Sequence, residues 1–151
     1  MMRYLTLLIA TGFGTGYSPL ASGTVGSLLA MAVYWFLFPE NNLIVLAIAA
    51  TTLIISVISS GKAEKIFNSH DDGRIVIDEF AGYYVSILFL PKTLFFALSA
   101  FFLFRLFDVV KPWFIKRTQR WPGGWGVTFD DIFAGLFANI ILQAVLYAFK
   151  I

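Results

Sequence analysis

Residues 105–131 read RLFDVVKPWFIKRTQRWPGGWGVTFDD, a polar and basic stretch with acids at both ends and long apolar segments on either side. Arg105, Asp108 and Lys111 close the segment before it, and Asp130–Asp131 open the segment after it. Charges at the edge of a membrane segment are costly and usually functional. The stretch therefore reads as half of an active site at a membrane surface, with its other half elsewhere in the chain.

Composition agrees with a membrane setting. Of 151 residues, 59% are hydrophobic and 13% charged, with mean hydropathy +0.81. Soluble domains average about 45–50% apolar and about 25% charged. The expectation is an all-α integral membrane protein forming one domain over residues 1–151. The length allows about five membrane helices at roughly 20 residues each. A barrel is excluded by the long uncharged runs. Cysteine is absent, which removes disulfides, thiolate metal sites and a phosphocysteine mechanism. A formal charge of +2 on so apolar a chain gives no footprint for nucleic acid. The run Leu5–Ala10 is too short for a cleavable signal peptide.

Working outward, Thr11–Ser27 (TGFGTGYSPLASGTVGS) is rich in glycine and hydroxyls and reads as a loop, compatible with a re-entrant turn. The apolar runs 25–38, 43–60, 80–90, 93–107 and 132–149 are the expected crossings, separated by Pro39–Asn42, a polar 61–79 segment, Pro91–Lys92 and the 105–131 stretch. If each run crosses once, Lys62, Lys65, Arg74, Arg105, Lys111, Lys116, Arg117 and Arg120 share one face, leaving Arg3, Lys92 and Lys150 elsewhere. The positive-inside bias makes the rich face cytoplasmic. The same face gathers Glu64, Asp71, Asp72, Asp78, Glu79, Asp108, Asp130 and Asp131. Topology explains the cations there but not the carboxylates.

Asp78–Glu79, Asp108 and Asp130–Asp131 are three acidic points at the ends of three segments. Carboxylates converging from separate helices suit Mg²⁺, which takes one or two of them plus waters and phosphate oxygens. Helix capping is the plain alternative, since Thr128-x-x-Asp131 has the form of a capping box. Arg105 and Asp108 share a helical face at i, i+3, and a guanidinium fork suits phosphate. The glycine loop offers backbone N–H groups to an anion. His70, the single histidine, lies beside acids in HDDG and is either a surface residue or an assistant in proton transfer. Lys116, Arg117 and Arg120 with Trp113, Trp121 and Trp125 read as an interfacial apron on anionic lipid.

Four motifs in order, GFGTGYSPLASGTVGS at 12–27, HDDGRIVIDEFAG at 70–82, FRLFDVVKPW at 104–113 and GGWGVTFDDIFAG at 123–135, make the chain resemble the phosphatidylglycerophosphatase A family. The resemblance implies a Mg²⁺-dependent lipid phosphatase of the bacterial inner membrane, with its site facing the cytoplasm. Such an enzyme converts phosphatidylglycerophosphate to phosphatidylglycerol. Carried onto this chain, it implies metal ligation by Asp78, Glu79, Asp130 and Asp131, catalysis by Asp108, Asp71 and His70, and substrate contacts from Arg105, Lys111, Ser18, Gly23, Thr24 and Ser27. The attacking group is left open between an activated water and a covalent aspartate. A CDP-alcohol phosphotransferase fits less well because the acids are split over three segments. A cation transporter fits less well because no charge lies near the middle of a run.

Overall fold

The computed structural model describes residues 2–149, which form seven α-helices and one 3-10 turn. The helices are α1 (Met2–Ala10), α2 (Ser22–Leu37), α3 (Asn42–Phe67), α4 (Ile77–Ser86), α5 (Leu94–Val110), α6 (Trp113–Thr118) and α7 (Gly124–Phe149), with the turn at Thr15–Tyr17. The all-α expectation holds.

The expected five crossings do not. Among the described residues only α3 and α7, of 26 residues each, are long and apolar enough to cross a bilayer. Each spans about 39 Å at 1.5 Å per residue, against a hydrocarbon core of about 30 Å. Both helices extend past their apolar runs. The expected polar loop at 61–79 is helical as far as Phe67, and α7 begins eight residues before Ile132. Helix α2 is apolar but shorter, and α4 has 10 residues, about 15 Å.

Helix α4 shows why a count of apolar runs fails here. Nearly all its residues are buried, including Ile77, Phe80, Ala81, Tyr83 and Tyr84. A helix apolar on every side is covered by its neighbours, and those neighbours are protein: α3, α7, α2 and α5 all pack on it. Its C-terminal carbonyls would be orphaned inside the bundle. Helix α7 supplies their partners. Asn139 Nδ2 donates to Ser86 O (3.0 Å) and Leu88 O (2.8 Å), and Gln143 Nε2 donates to Leu88 O (3.0 Å). An internal half-length helix is thus ended by side-chain amides.

Contacts fix the directions of the elements. Ser56 Oγ meets Thr128 Oγ1 at 2.8 Å while Val57 and Gly61 lie against Gly124, so α3 and α7 run antiparallel. Gly82 packs on Gly135 as Ser86 meets Asn139, so α4 and α7 run parallel. No side chain fits at that crossing, because a Cβ on Gly135 would enter Gly82 O and one on Gly82 would come within 2.7 Å of Asp131 O. This is small-residue packing, which lets backbones approach closely.

The bundle therefore has two unlike ends. At one, Lys92 Nζ donates to Phe38 O at 2.6 Å and joins the turn after α2 to the turn before α5. At the other lie the starts of α2, α4 and α7, the end of α5 and the 68–76 loop. The charged segments gather at one end, but the threading of five single crossings from which this was expected does not hold: α1 starts beside Ser59 and Lys62, and Lys150 lies outside the described residues.

If the amide caps hold α4 in place, Asn139→Leu removes the amide donor to the buried Ser86 O, at a cost of about 1–3 kcal/mol, while Leu88 O keeps Gln143. Thermal unfolding in detergent is expected to show a lowered midpoint for this variant. An unchanged midpoint would mean that the caps contribute nothing.

Candidate active site

The charged end encloses a cavity of about 320 Å³. Asp78 and Glu79 enter it from the first turn of α4, Arg105 and Asp108 from the last turns of α5, Lys111 from the residue after α5, and Asp130 and Asp131 from the second turn of α7. All five of these carboxylates are buried. Arg105 Nη1 donates to Glu79 Oε2 and to Asp108 Oδ2, the latter at 2.6 Å. Lys111 Nζ lies 2.5 Å from Asp130 Oδ2 and 3.5 Å from Asp108 Oδ1. Lys111 reaches Asp130 because its backbone is left-handed (φ 43°), which ends α5 ahead of Pro112 and turns the side chain inward.

Five carboxylates against two cations leave three formal negative charges when all are ionised (5 − 2 = 3). Like charges this close raise the energy of the ionised set. A phosphate monoester would meet repulsion rather than binding. Two observations fit a hard cation as the missing counter-charge. Carboxylate oxygens of Asp108, Asp130 and Asp131 lie within 4.8 Å of one another. Asp130 Oδ1 and Asp131 Oδ2 are buried with no hydrogen-bond partner, although buried polar atoms are nearly always satisfied. The donor set, all oxygen, suits Mg²⁺.

The chain matches the family model described as phosphatidylglycerophosphatase A over residues 8–146. The chain belongs to the phosphatidylglycerophosphatase A family. An Escherichia coli K12 protein named phosphatidylglycerophosphatase A is 37% identical over 142 residues, covering 91% of this chain and 81% of its own. One of that name from Haemophilus influenzae is 33% identical over 143 residues, covering 93% and 88%. A Bacteroides thetaiotaomicron protein, provisionally named phosphatidylinositol-3-phosphatase, is 35% identical over 147 residues and covers 92% of each chain. No solved structure matches the chain.

Within this phosphatidylglycerophosphatase A chain, Asp78, Glu79, Asp108, Asp130, Asp131, Arg105, Lys111 and Gly23 line the one cavity. The capping-box reading of Thr128-x-x-Asp131 is corrected. Thr128 is fully buried inside α7 and bonded to Ser56, so it caps no helix start. Gly23 lets α2 approach the ion pair, since a Cβ there would collide with Glu79 Oε1 and reach 3.0 Å from Arg105 Nη1. Ser27 Oγ lies 2.7 Å from Glu79 Oε2, so it orients a carboxylate instead of facing the cavity. Ser18 bonds to Leu20 O, and neither Ser18 nor Thr24 lines the cavity.

Asp71 stands exposed at the rim, and His70 turns away from it. His70 Nδ1 meets Glu64 Oε1 at 2.6 Å, Nε2 meets Gln119 O at 3.3 Å, and the side chain is 60% exposed. Three cavity-end residues were not among the candidates, although Ser22 lies within the 12–27 motif. Glu64, in the last turns of α3, also accepts from Asp71 N at 2.8 Å. Gln119 Nε2 donates to Asp71 Oδ2 (3.2 Å) and Asp130 Oδ2 (3.1 Å), tying the rim acid to the buried one. Ser22 Oγ donates to Gly73 O at 2.6 Å and fastens the 68–76 loop to α2. Of the other two, only the buried acid Glu64 carries a prior signal, as one of the acids on the basic face.

If Asp71 takes part in the reaction, Gln119 positions it, and Gln119→Ala is expected to lower kcat about tenfold with KM little changed. A change confined to KM would assign Gln119 to substrate binding. The Glu64 hydrogen bond raises the His70 pKa above its ordinary value, aided by the Gln119 carbonyl and the charges of Glu64 and Asp71 and opposed by desolvation. A raised folded-state pKa means stability present at acid pH and lost as pH rises through that pKa. Because the ring is exposed, the loss is expected below about 1 kcal/mol. His70→Gln should flatten the stability profile above about pH 6.5, the ordinary histidine value, and an unaltered profile would mean that the His70–Glu64 bond contributes no stability.

Proposed function

We propose that this protein hydrolyses the terminal phosphate monoester of phosphatidylglycerophosphate to phosphatidylglycerol and inorganic phosphate, with Mg²⁺ held by the clustered carboxylates. Family membership and the named relatives support the reaction. The observation that carries the mechanism is the pair of buried, unpartnered oxygens on Asp130 and Asp131 beside Asp108.

Asp108, Asp130 and Asp131 would hold the metal, with Asp78 and Glu79 lining the same cavity. A bound divalent cation supplies Lewis acidity at a phosphoryl oxygen and neutralises charge on it. Arg105 and Lys111 would exchange part of their carboxylate bonds for phosphate oxygens, and the Arg105 Nε, buried without a partner, offers one more donor. The two candidates for water activation are differently placed. Asp108 is engaged by Arg105 and Lys111, whereas Asp71 accepts only from the Gln119 amide among its side-chain bonds. That favours Asp71 as the base: it would take a proton from the attacking water as the water oxygen bonds to phosphorus and the P–O bond to the glycerol oxygen breaks, and would return that proton to the departing glycerol oxygen.

For location, we propose the bacterial inner membrane, with α3 and α7 crossing it and the cavity at the cytoplasmic face. The basic residues of the cavity end support that orientation by the positive-inside rule. A second lipid monoester comes into view from the Bacteroides relative's provisional name, which specifies a phosphoinositide substrate.

The test is phosphate release by purified protein from phosphatidylglycerophosphate and from phosphatidylinositol 3-phosphate, in Mg²⁺ or in EDTA. Release from the first lipid, abolished by EDTA and lowered at least about a hundredfold in Asp131→Asn and Asp71→Asn, is expected. Full activity in EDTA would remove the metal from the mechanism. Preference for the second lipid would reassign the head group.

A further inference from the structure

The 112–121 connection carries a second charged feature that the reaction does not use. Trp113, Lys116, Arg117 and Arg120 enclose a separate cavity of about 170 Å³. One water needs roughly 10–15 Å³ on such a measure, so the oxygens of a phosphate group fit. The cavity has three cations and no acid in its lining. Among the described residues none of the three is ion-paired with a carboxylate. The Arg117 guanidinium lies 4.8 Å above the Trp113 ring.

The surroundings separate a lipid from a dissolved anion. Trp113 is 73% exposed, and Val109, Val110, Trp121 and Trp125 on the flanking segments are exposed as well. Cations set among outward-facing tryptophans and aliphatic side chains match the head-group layer, where rings sit at the interface and basic groups meet lipid phosphates. A site for free phosphate has no use for that apolar rim.

We propose that Trp113, Lys116, Arg117 and Arg120 form a second phospholipid site that takes the head-group phosphate of an anionic lipid which is not the substrate. Occupancy bears on catalysis through the chain itself. Helix α6 has Lys111, bonded to Asp130, just before it and Gln119, bonded to Asp71 and Asp130, just after it. A lipid clamping α6 fixes both flanks of the reaction cavity, so anionic lipid stimulates turnover.

Lipid retention tests the site without reference to hydrolysis. The full-length protein in neutral detergent is titrated with phosphatidylserine, and bound lipid is counted by native mass spectrometry. At about fivefold per cation, Lys116→Gln/Arg117→Gln/Arg120→Gln is expected to weaken one binding event on the order of a hundredfold. The charge-keeping variant Arg117→Lys/Arg120→Lys should retain it. In phosphatidylcholine bilayers, added phosphatidylserine should raise the kcat of the wild type and leave the triple variant flat. Equal retention by the triple variant overturns the proposal. So does displacement of the lipid by equimolar inorganic phosphate, or phosphatidylserine acting only as a competitor of substrate. Lost retention in the triple variant of a protein that releases no phosphate would keep this site while refuting the hydrolytic reading on which the stimulation rests.

Discussion

Mutual repulsion among five buried carboxylates is the constraint that the charged end of this bundle is built to withstand. Each acid is carried by a helix that is anchored elsewhere, so the cluster cannot relax by drifting apart. Helix α4 is pinned to α7 through a glycine crossing, α5 is tied in by Arg105 and Lys111, and α2 reaches the same ion pair through Gly23. On the proposed reading, the residual negative charge calls for a cation before a phosphate can enter. On that reading, binding of a divalent ion and binding of the lipid phosphate would be linked, because the first would remove the repulsion that opposes the second.

The supporting network extends beyond the residues that line the cavity. Glu64, His70 and Gln119 hold the 68–76 loop and the start of α7 to the end of α3. Arg74 adds two bonds to Asp72 (2.7 and 2.8 Å) and lies over the Phe67 ring. These contacts orient Asp71, which stands exposed at the rim beside Asp72. Chemistry at a solvent-facing lip needs such bracing, since an exposed side chain otherwise samples many rotamers.

Much of this was legible from residue order. The carboxylate points, the Arg105–Asp108 face and the break at Pro112 follow from spacing and turn chemistry, and the structure brings those residues together. The number of crossings was not legible. Hydropathy measures how apolar a run is, and the interior of a bundle is as apolar as lipid. Phe80–Leu90 reads as a crossing for that reason, and only the amides of Asn139 and Gln143, fifty residues away, mark it as an internal helix. The roles of Ser27 and Gln119 were hidden similarly: a hydroxyl or amide becomes informative only once its partner is known.

The double attachment of α4 has a consequence for how the chain can vary in length. Its first turn carries Asp78 and Glu79 beside Asp130 and Asp131, and its last carbonyls rest on Asn139 and Gln143. Helix α7 thus acts as a ruler, with acid marks at one end of an interval and amide marks at the other. One residue added between 131 and 139 would turn the amides by about 100° relative to the acids, and no single placement of α4 would then serve both. Insertions beyond 143 leave both marks in step. The chemistry of this family member is therefore tied to the length of a segment that touches no substrate.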